Sequence, residues 1–239
     1  LFGRTVTPVG AGRFLFPDNR GVTLFSVEDG AAVSRVELPE GARSSAAIWK
    51  GNRAVVVDQS GTFHLIDLSS GEPVLSVASG LVQPVAARPV VVGSIALAVD
   101  RRGNGAAVDL AEGTLLWERQ LSGGGLFSDP VARGRTVYFT AGGQLHAVDP
   151  ETGEPVFASL DSITTPPLLE DEAIYVGRGR ELLEVDPASG TRRRTLELPA
   201  ELSGRPRLLG ERIVVGSLEG SFFVINRTGW FSATSPTGD

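Results

Sequence analysis

No cysteine occurs in the 239 residues, which excludes both a disulfide framework and a thiolate metal site. Histidine is nearly as scarce, with only His64 and His146. Long apolar runs are missing too: the stretch from Pro89 to Val99 is interrupted by Gly93 and Ser94, well short of the roughly 20 residues that span a bilayer. No basic start leads into an apolar stretch, and the chain begins at Leu1, so we read it as a mature form or an excised ectodomain whose signal or anchor is missing. The net charge of -6 and pI near 5.1 argue against nucleic acid or an anionic membrane as main partner, because both need a concentrated positive field. No G-x-S-x-G elbow is present, and serines such as Ser44-Ser45, Ser60, Ser69-Ser70 and Ser217 sit in turn contexts. No segment holds a helical period.

What the chain has is glycine, 30 residues of it, in register. Six times a strand-like run ends in an acidic residue or Asn and then a Gly: Glu28-Asp29-Gly30, Asp67 to Gly71, Asp109 to Gly113, Asp149 to Gly153, Asp186 to Gly190, and Asn226 to Gly229. Successive glycines lie 41, 42, 40, 37 and 39 residues apart, a period that belongs to propellers and arrays. Asp and Asn side chains accept from amides two residues on, and Gly supplies the positive φ of a tight reversal. We therefore take Asp67, Asp109, Asp149 and Asp186 as structural.

Each repeat breaks into four short β-branched or aromatic runs with Gly and Pro punctuation. Repeat four is the clearest: Pro130-Val131, then 135–140, 144–149, and Glu154-Pro155-Val156-Phe157. Repeat three is expected to begin at Pro84. Runs such as Ala54-Val55-Val56-Val57 are apolar at successive positions, as expected of a sheet covered on both faces. The expected fold is an all-β propeller of six four-stranded blades in one domain over 1–234. The blade repeats fall at 7–41, 42–80, 81–124, 125–162, 163–201 and 202–234. Trp230 to Ala233 is expected as the outer strand of blade six, and 235–239 as a flexible tail.

The strings Leu145-His146-Ala147-Val148-Asp149-Pro150-Glu151-Thr152-Gly153 and Leu182-Leu183-Glu184-Val185-Asp186-Pro187-Ala188-Ser189-Gly190 resemble the repeat of pyrroloquinoline-quinone-type propellers. Gly113-Thr114-Leu115-Leu116-Trp117 matches the tail of that repeat. The resemblance implies the blade type. It leaves the role open among quinone-dependent dehydrogenases, a lipoprotein that assists outer-membrane β-barrel assembly, and sensor domains. Only repeat three keeps the final Trp, repeat four has Phe157, and the cysteine pair of the enzyme branch is absent, so no quinone or other cofactor is expected.

His64 and His146 occupy one repeat position, matched elsewhere by Phe25, Ala106, Leu183 and Phe223. Each is expected to pack between blades with one backbone bond. Asp18-Asn19-Arg20-Gly21 and the loop Asp100 to Gly105 carry oxygen ligands without EF-hand spacing, so no metal is expected. Arg101 and Arg102 fall in the turn between the second and third strands of blade three, and Arg178 and Arg180 in the same turn of blade five. Asp129, Thr165 and Arg205 each precede a blade's leading proline and are expected to line a central opening. Arg101, Arg102, Asp129, Arg178, Arg180 and Arg205 are the candidate partner-binding residues, suited to an acidic peptide or a carboxylated ligand. No catalytic residue is expected.

These features point to a non-enzymatic protein-interaction scaffold, accessory subunit or sensor propeller, periplasmic or extracellular. The partner is a protein, with no nucleic acid and no direct membrane insertion. The alternative is a small-molecule-binding or enzymatic propeller with its site at the mouth of the central channel.

Overall fold

The computed structural model describes residues 5–81, 87–125, 129–170 and 172–227, and the backbone of 232–234. Pro84, Gly229 to Phe231 and the tail 235–239 lie outside these described residues. The fold is an all-β propeller built of six antiparallel sheets, each in up-and-down order.

Sheet one comprises β1 (Thr7–Gly10), β2 (Arg13–Asp18), β3 (Gly21–Ser26) and β4 (Ala32–Glu37). Sheet two follows with β5 (Ala47–Trp49), β6 (Arg53–Val57), β7 (Phe63–Asp67) and β8 (Glu72–Val77). Sheet three holds β9 (Val90–Val92), β10 (Ile95–Val99), β11 (Asn104–Asp109) and β12 (Thr114–Gln120). Sheet four has β13 (Val131–Arg133), β14 (Thr136–Ala141) and β15 (Gln144–Val148). Sheet five has β16 (Leu168–Leu169), β17 (Ile174–Arg178), β18 (Glu181–Val185) and β19 (Arg192–Glu197). Sheet six has β20 (Leu202–Leu209), β21 (Arg212–Ser217), β22 (Phe222–Asn226) and β23 (Ser232–Thr234), and β23 pairs with β22 as the expected outer strand.

Two compact units divide the chain: Leu1–Val137 with Asp149–Glu154, and Tyr138–Val148 with Pro155–Asp239. In the first unit Val55, Val56 and Val57 are all fully buried because β6 is covered on both sides. Ala54, Val56 and Ile66 pack with Leu15, Val22 and Leu24 of sheet one. Val55, Val57, Phe63 and Leu65 pack with Ala96, Ala98, Ala106 and Val108 of sheet three. Large side chains of sheet two thus meet small ones of sheet three, which lets the layers interdigitate at interior density. In the second unit Tyr175 and Leu182 pack with Ile213, Val215, Phe223 and Ile225.

The outermost ladder carries the same irregularity in four sheets. Its register shifts between Leu24 and Phe25, Leu65 and Ile66, Ala107 and Val108, and Glu184 and Val185. A bulge leaves one residue unpaired and re-aims its neighbours. The residues left over are Val33, Val74, Leu116 and Arg193, of which the three apolar ones are exposed.

Three sequence expectations need correction here. Repeat four, the clearest in sequence, lacks a continuous fourth strand. Pro155 bridges Val148 and the Val156 amide bonds Ala147 O, but Leu160 bridges Leu145, where an unbroken ladder would place residue 158. Proline brings no amide to the ladder, and the two extra residues turn Phe157 inward. The leading proline of repeat three is Pro89, since β9 starts at Val90 just as β13 starts after Pro130. In repeat one the residue at the strand end is Ser26, not Glu28 or Asp29. Its carbonyl accepts from the Gly30 amide as those of Asp67, Asp109, Asp149 and Asp186 accept from their glycines, and the equivalent of the histidines is Thr23 rather than Phe25.

Candidate functional site

Up-and-down pairing puts two kinds of turn at opposite ends of every sheet. At one end lie the Asp-Gly joints, between the third and fourth strands. Asp67 Oδ1 accepts from the amides of Ser69 (2.8 Å) and Ser70 (3.2 Å), and Asp109 Oδ1 from Ala111 (2.7 Å) and Glu112 (3.0 Å). Asp149 and Asp186 repeat the geometry. Amide donors stabilise the carboxylate form, and Asp186, which bonds first to the Ser189 amide and then to Arg193, is lowered to about 2.

The glycines of these joints answer a second demand that spacing did not reveal. A Cβ on Gly113 would stand 2.7 Å from Leu75, on Gly153 2.9 Å from the Trp117 indole, and on Gly190 2.5 Å from the Phe157 ring. Each side chain comes from the outer strand or edge segment of the preceding sheet, and Leu75 and Trp117 each follow a bulge residue directly. The joint carbonyls are capped as well: Trp117 Nε1 donates to Pro150 O at 2.9 Å, and Arg194 Nη2 to Arg227 O at 3.3 Å. Phe157 has no donor, and the Tyr138 hydroxyl supplies it to Pro187 O at 2.8 Å.

From sequence, the Asp18 and Asp100 loops are weighed only as metal loops and Asp58 is not singled out, yet D-x-x-G marks a second aspartate series at Asp18, Asp58 and Asp100. These lie at the other end of the sheets, between the second and third strands. Asp58 Oδ1 accepts from the amides of Ser60 and Thr62, and Asp100 Oδ1 from those of Arg102 and Asn104. The second oxygen differs each time. Asp18 Oδ2 accepts from Arg35 Nη2 at 3.0 Å, Asp100 Oδ2 from Asn104 Nδ2 at 2.8 Å, and Asp58 Oδ2 bonds His64 Nε2 at 3.0 Å. Asp58 and Asp100 are buried. Burial pushes the Asp58 carboxyl up, but hydrogen bonds from His64, Ser60 and the Thr62 amide outweigh it and leave it below the usual range.

His64 therefore has two side-chain partners, Asp58 and, through Nδ1, Ser76 Oγ at 2.9 Å, rather than one backbone bond. His146 repeats the serine contact, with Ser159 Oγ at 2.9 Å, but bonds Ala141 O through Nε2 and stacks on Phe139. Because the His-Ser contact recurs in a sheet with no aspartate partner, it is a cross-strand clamp of the repeat. Burial lowers His146 below the ordinary 6.5.

The candidate partner-binding residues separate in their surroundings. Arg101 and Arg102 are exposed, and neither has an ion pair among the described residues. Arg178 pairs with Glu181 at 2.7 Å, and Arg180 folds onto the carbonyls of Leu198 and Pro199. Arg205 is half-buried in β20 at its register shift, between Ser203 and Arg207. Thr165 is fully buried, its hydroxyl accepting from the Gly177 amide at 2.7 Å, so it lines no opening.

Asp129 is half-buried and accepts the Arg88 amide through Oδ1 at 2.8 Å. Arg88 precedes Pro89 as Asp129 precedes Pro130, so two pre-proline residues of consecutive sheets meet within the first unit. Arg88 Nη2 lies 3.5 Å from Thr5 Oγ1, and Thr5 bonds Ser45 Oγ through both its amide and its hydroxyl. With Pro84 as the expected leading proline, Arg88 is not among the sequence candidates.

Each unit has a hollow at the joint end of its sheets. In the first, a cavity of about 490 Å³ has Val92, Ile95, Leu116 and Pro150 beside the Arg135–Glu151 pair. In the second, a hollow of about 310 Å³ is lined by Tyr175, Glu170 and Glu184, with Arg194 and Arg227 as their ion-pair partners. Among the described residues no group of three His, Cys, Asp or Glu is placed to hold a metal, and no helix is long and apolar enough to cross a membrane.

The family model described as outer membrane protein assembly factor BamB matches residues 18–159. Among solved structures, BamB from Moraxella catarrhalis is similar at 17% identity and a TM-score of 0.78, over 97% of this chain and 75% of that one. The computationally designed Ika8 protein is similar at 14% identity and a TM-score of 0.75, over 95% of this chain and 73% of that one. No curated protein sequence matches. With the family model spanning more than half of its residues, the chain belongs to the family described as outer membrane protein assembly factor BamB.

Proposed function

We propose that this chain is a non-enzymatic scaffold: one propeller of six blades over 1–234 that presents turns to a protein partner in an extracytoplasmic compartment. The match over 18–159 to a family named for assembling outer membrane proteins carries the proposal. The state of the polar groups supports it. The joint aspartates and both histidines are engaged in holding turns and strands, while Arg101 and Arg102 stand exposed without ion pairs among the described residues. Paired cations at a turn suit an acidic stretch of a partner.

Photocrosslinking from position 101 in cells of the source organism tests this. A discrete adduct with one protein, lost when Arg101 and Arg102 become Glu, is the expected result. No adduct from either turn position, with the protein folded and abundant, would overturn the scaffold role. A second role, small-molecule binding at the pre-proline end of the sheets, is favoured by the polar contacts that join Thr5, Ser45, Arg88 and Asp129.

A further inference from the structure

Arg88 holds an exceptional donor. Its Nε is buried and has no hydrogen-bond partner among the described residues, and its one side-chain contact, Nη2 to Thr5 Oγ1, is stretched to 3.5 Å. Ser45 Oγ, on a residue only 2% exposed, accepts from both the amide and the hydroxyl of Thr5. Its own proton is therefore left for a further acceptor. Two donors in one polar cluster thus lack an acceptor among the described residues, whereas buried donors in folded proteins are almost always satisfied.

The Nε and Nη2 hydrogens of a guanidinium form a planar fork that fits the two oxygens of a carboxylate. The Asp129 carboxylate does not fill this role through Oδ1, which is held on the Arg88 main-chain amide. We propose that the Nε edge of Arg88, with the Ser45 and Thr5 hydroxyls beside it, is a binding site for a carboxylate, carried by a small diacid or by an acidic side chain of a protein. The site is independent of the scaffold role, since anion binding and partner crosslinking are read separately. The acidity of the chain as a whole gives no long-range attraction for anions, so selectivity comes from this local fork.

Calorimetric titration and thermal shift of the full chain test the site, using malonate, a blocked peptide containing two consecutive Asp residues, and potassium chloride at matched ionic strength. Malonate, the peptide or both are expected to bind with one-to-one stoichiometry and to raise the melting temperature above the chloride control. Malonate alone identifies a free acid as the ligand, and the peptide alone an acidic side chain. Arg88→Gln should weaken binding at least tenfold, while Arg212→Gln, at the exposed first residue of β21, should leave it unchanged. If Arg88→Gln fails to fold by circular dichroism, Thr5→Val carries the same test, with at least a threefold loss expected. No stabilisation beyond chloride by either probe overturns the site, as does unchanged affinity in the folded variant.

Discussion

Sheets two and three use aspartate at both ends for the same local task, and the two ends differ in what surrounds it. At the joint end the residue that follows the Asp is fixed by a neighbour: the glycine lies under a side chain of the preceding sheet, and the carbonyl beyond the Asp is capped by Trp117, Tyr138 or Arg194. At the other end the second carboxylate oxygen takes Arg35, His64 or Asn104, the closing glycines Gly21, Gly61 and Gly103 lie against backbone, and the two positions between Asp and Gly differ in side chain from turn to turn. Joints that must dock on the next sheet admit little change. Side chains can change at the two positions between Asp and Gly of the other turns, and Arg101 and Arg102 occupy those positions in sheet three.

Glycine substitutions should break this comparison most sharply. Gly153 and Gly134 both have positive φ, but a Cβ on Gly153 meets Trp117 while one on Gly134 meets nothing within 4 Å. Gly134→Ala is expected to cost about 1 kcal/mol, the strain of the left-handed conformation alone. Gly153→Ala should cost about 3 kcal/mol because packing strain is added. Urea titration measures both, and equal losses would mean that the indole contact contributes nothing.

Aspartate substitutions separate the two series. Asp58→Ala should cost about 3 kcal/mol, since it leaves buried His64 and two amides without their acceptor. Asp67→Ala, at an exposed joint, should cost clearly less, because the Ser69 and Ser70 amides it leaves can bond to water. Tyr138→Phe should cost about 1 kcal/mol by stripping Pro187 O of its donor. A neutral Tyr138→Phe in thermal unfolding would show that water caps the joint equally well.

Acid provides a finer probe. The His146 pKa is depressed in the fold, so its contribution to stability is fully present above about 6.5 and is lost as pH falls through the unfolded value toward the folded one. Asp58 acts in the same direction lower down, contributing above 3.8 and failing as pH drops below it. Stability should therefore decline between pH 7.5 and 5.5, and His146→Phe should flatten that part of the profile. A decline of equal size in the variant would assign it to another group. The smallest effect on stability, under about 0.5 kcal/mol, is expected for Arg101→Ser with Arg102→Ser, exposed positions away from the joints.

Most of the fold was legible because the period, the Asp-Gly turns and the four-run pattern are local in the chain. Asp67 and its amides lie within three residues of each other, and spacing alone identifies such a turn. The Trp117–Gly153 and Phe157–Gly190 contacts join residues from neighbouring repeats, so glycine looked sufficiently explained by φ. Local composition misled in repeat four, where a β-rich string containing Pro155 became bridges instead of a strand. In repeat one, Glu28 and Asp29 drew attention from Ser26, which holds the joint position. Of the candidate site, the Arg101 turn and the pre-proline position of Asp129 were visible in the sequence. The Arg178–Glu181 pair spans one hairpin turn and is local in the chain, whereas the burial of Thr165 and the surroundings of Arg88 depend on residues far along it.

Parallel photocrosslinking from position 101 and from Glu112, at the joint end of the same sheet, tests most directly whether function belongs to the varied turns. A partner adduct from 101 and none from 112 is the predicted result. An adduct from 112 alone would contradict it and place docking on the joints that we assign to structure.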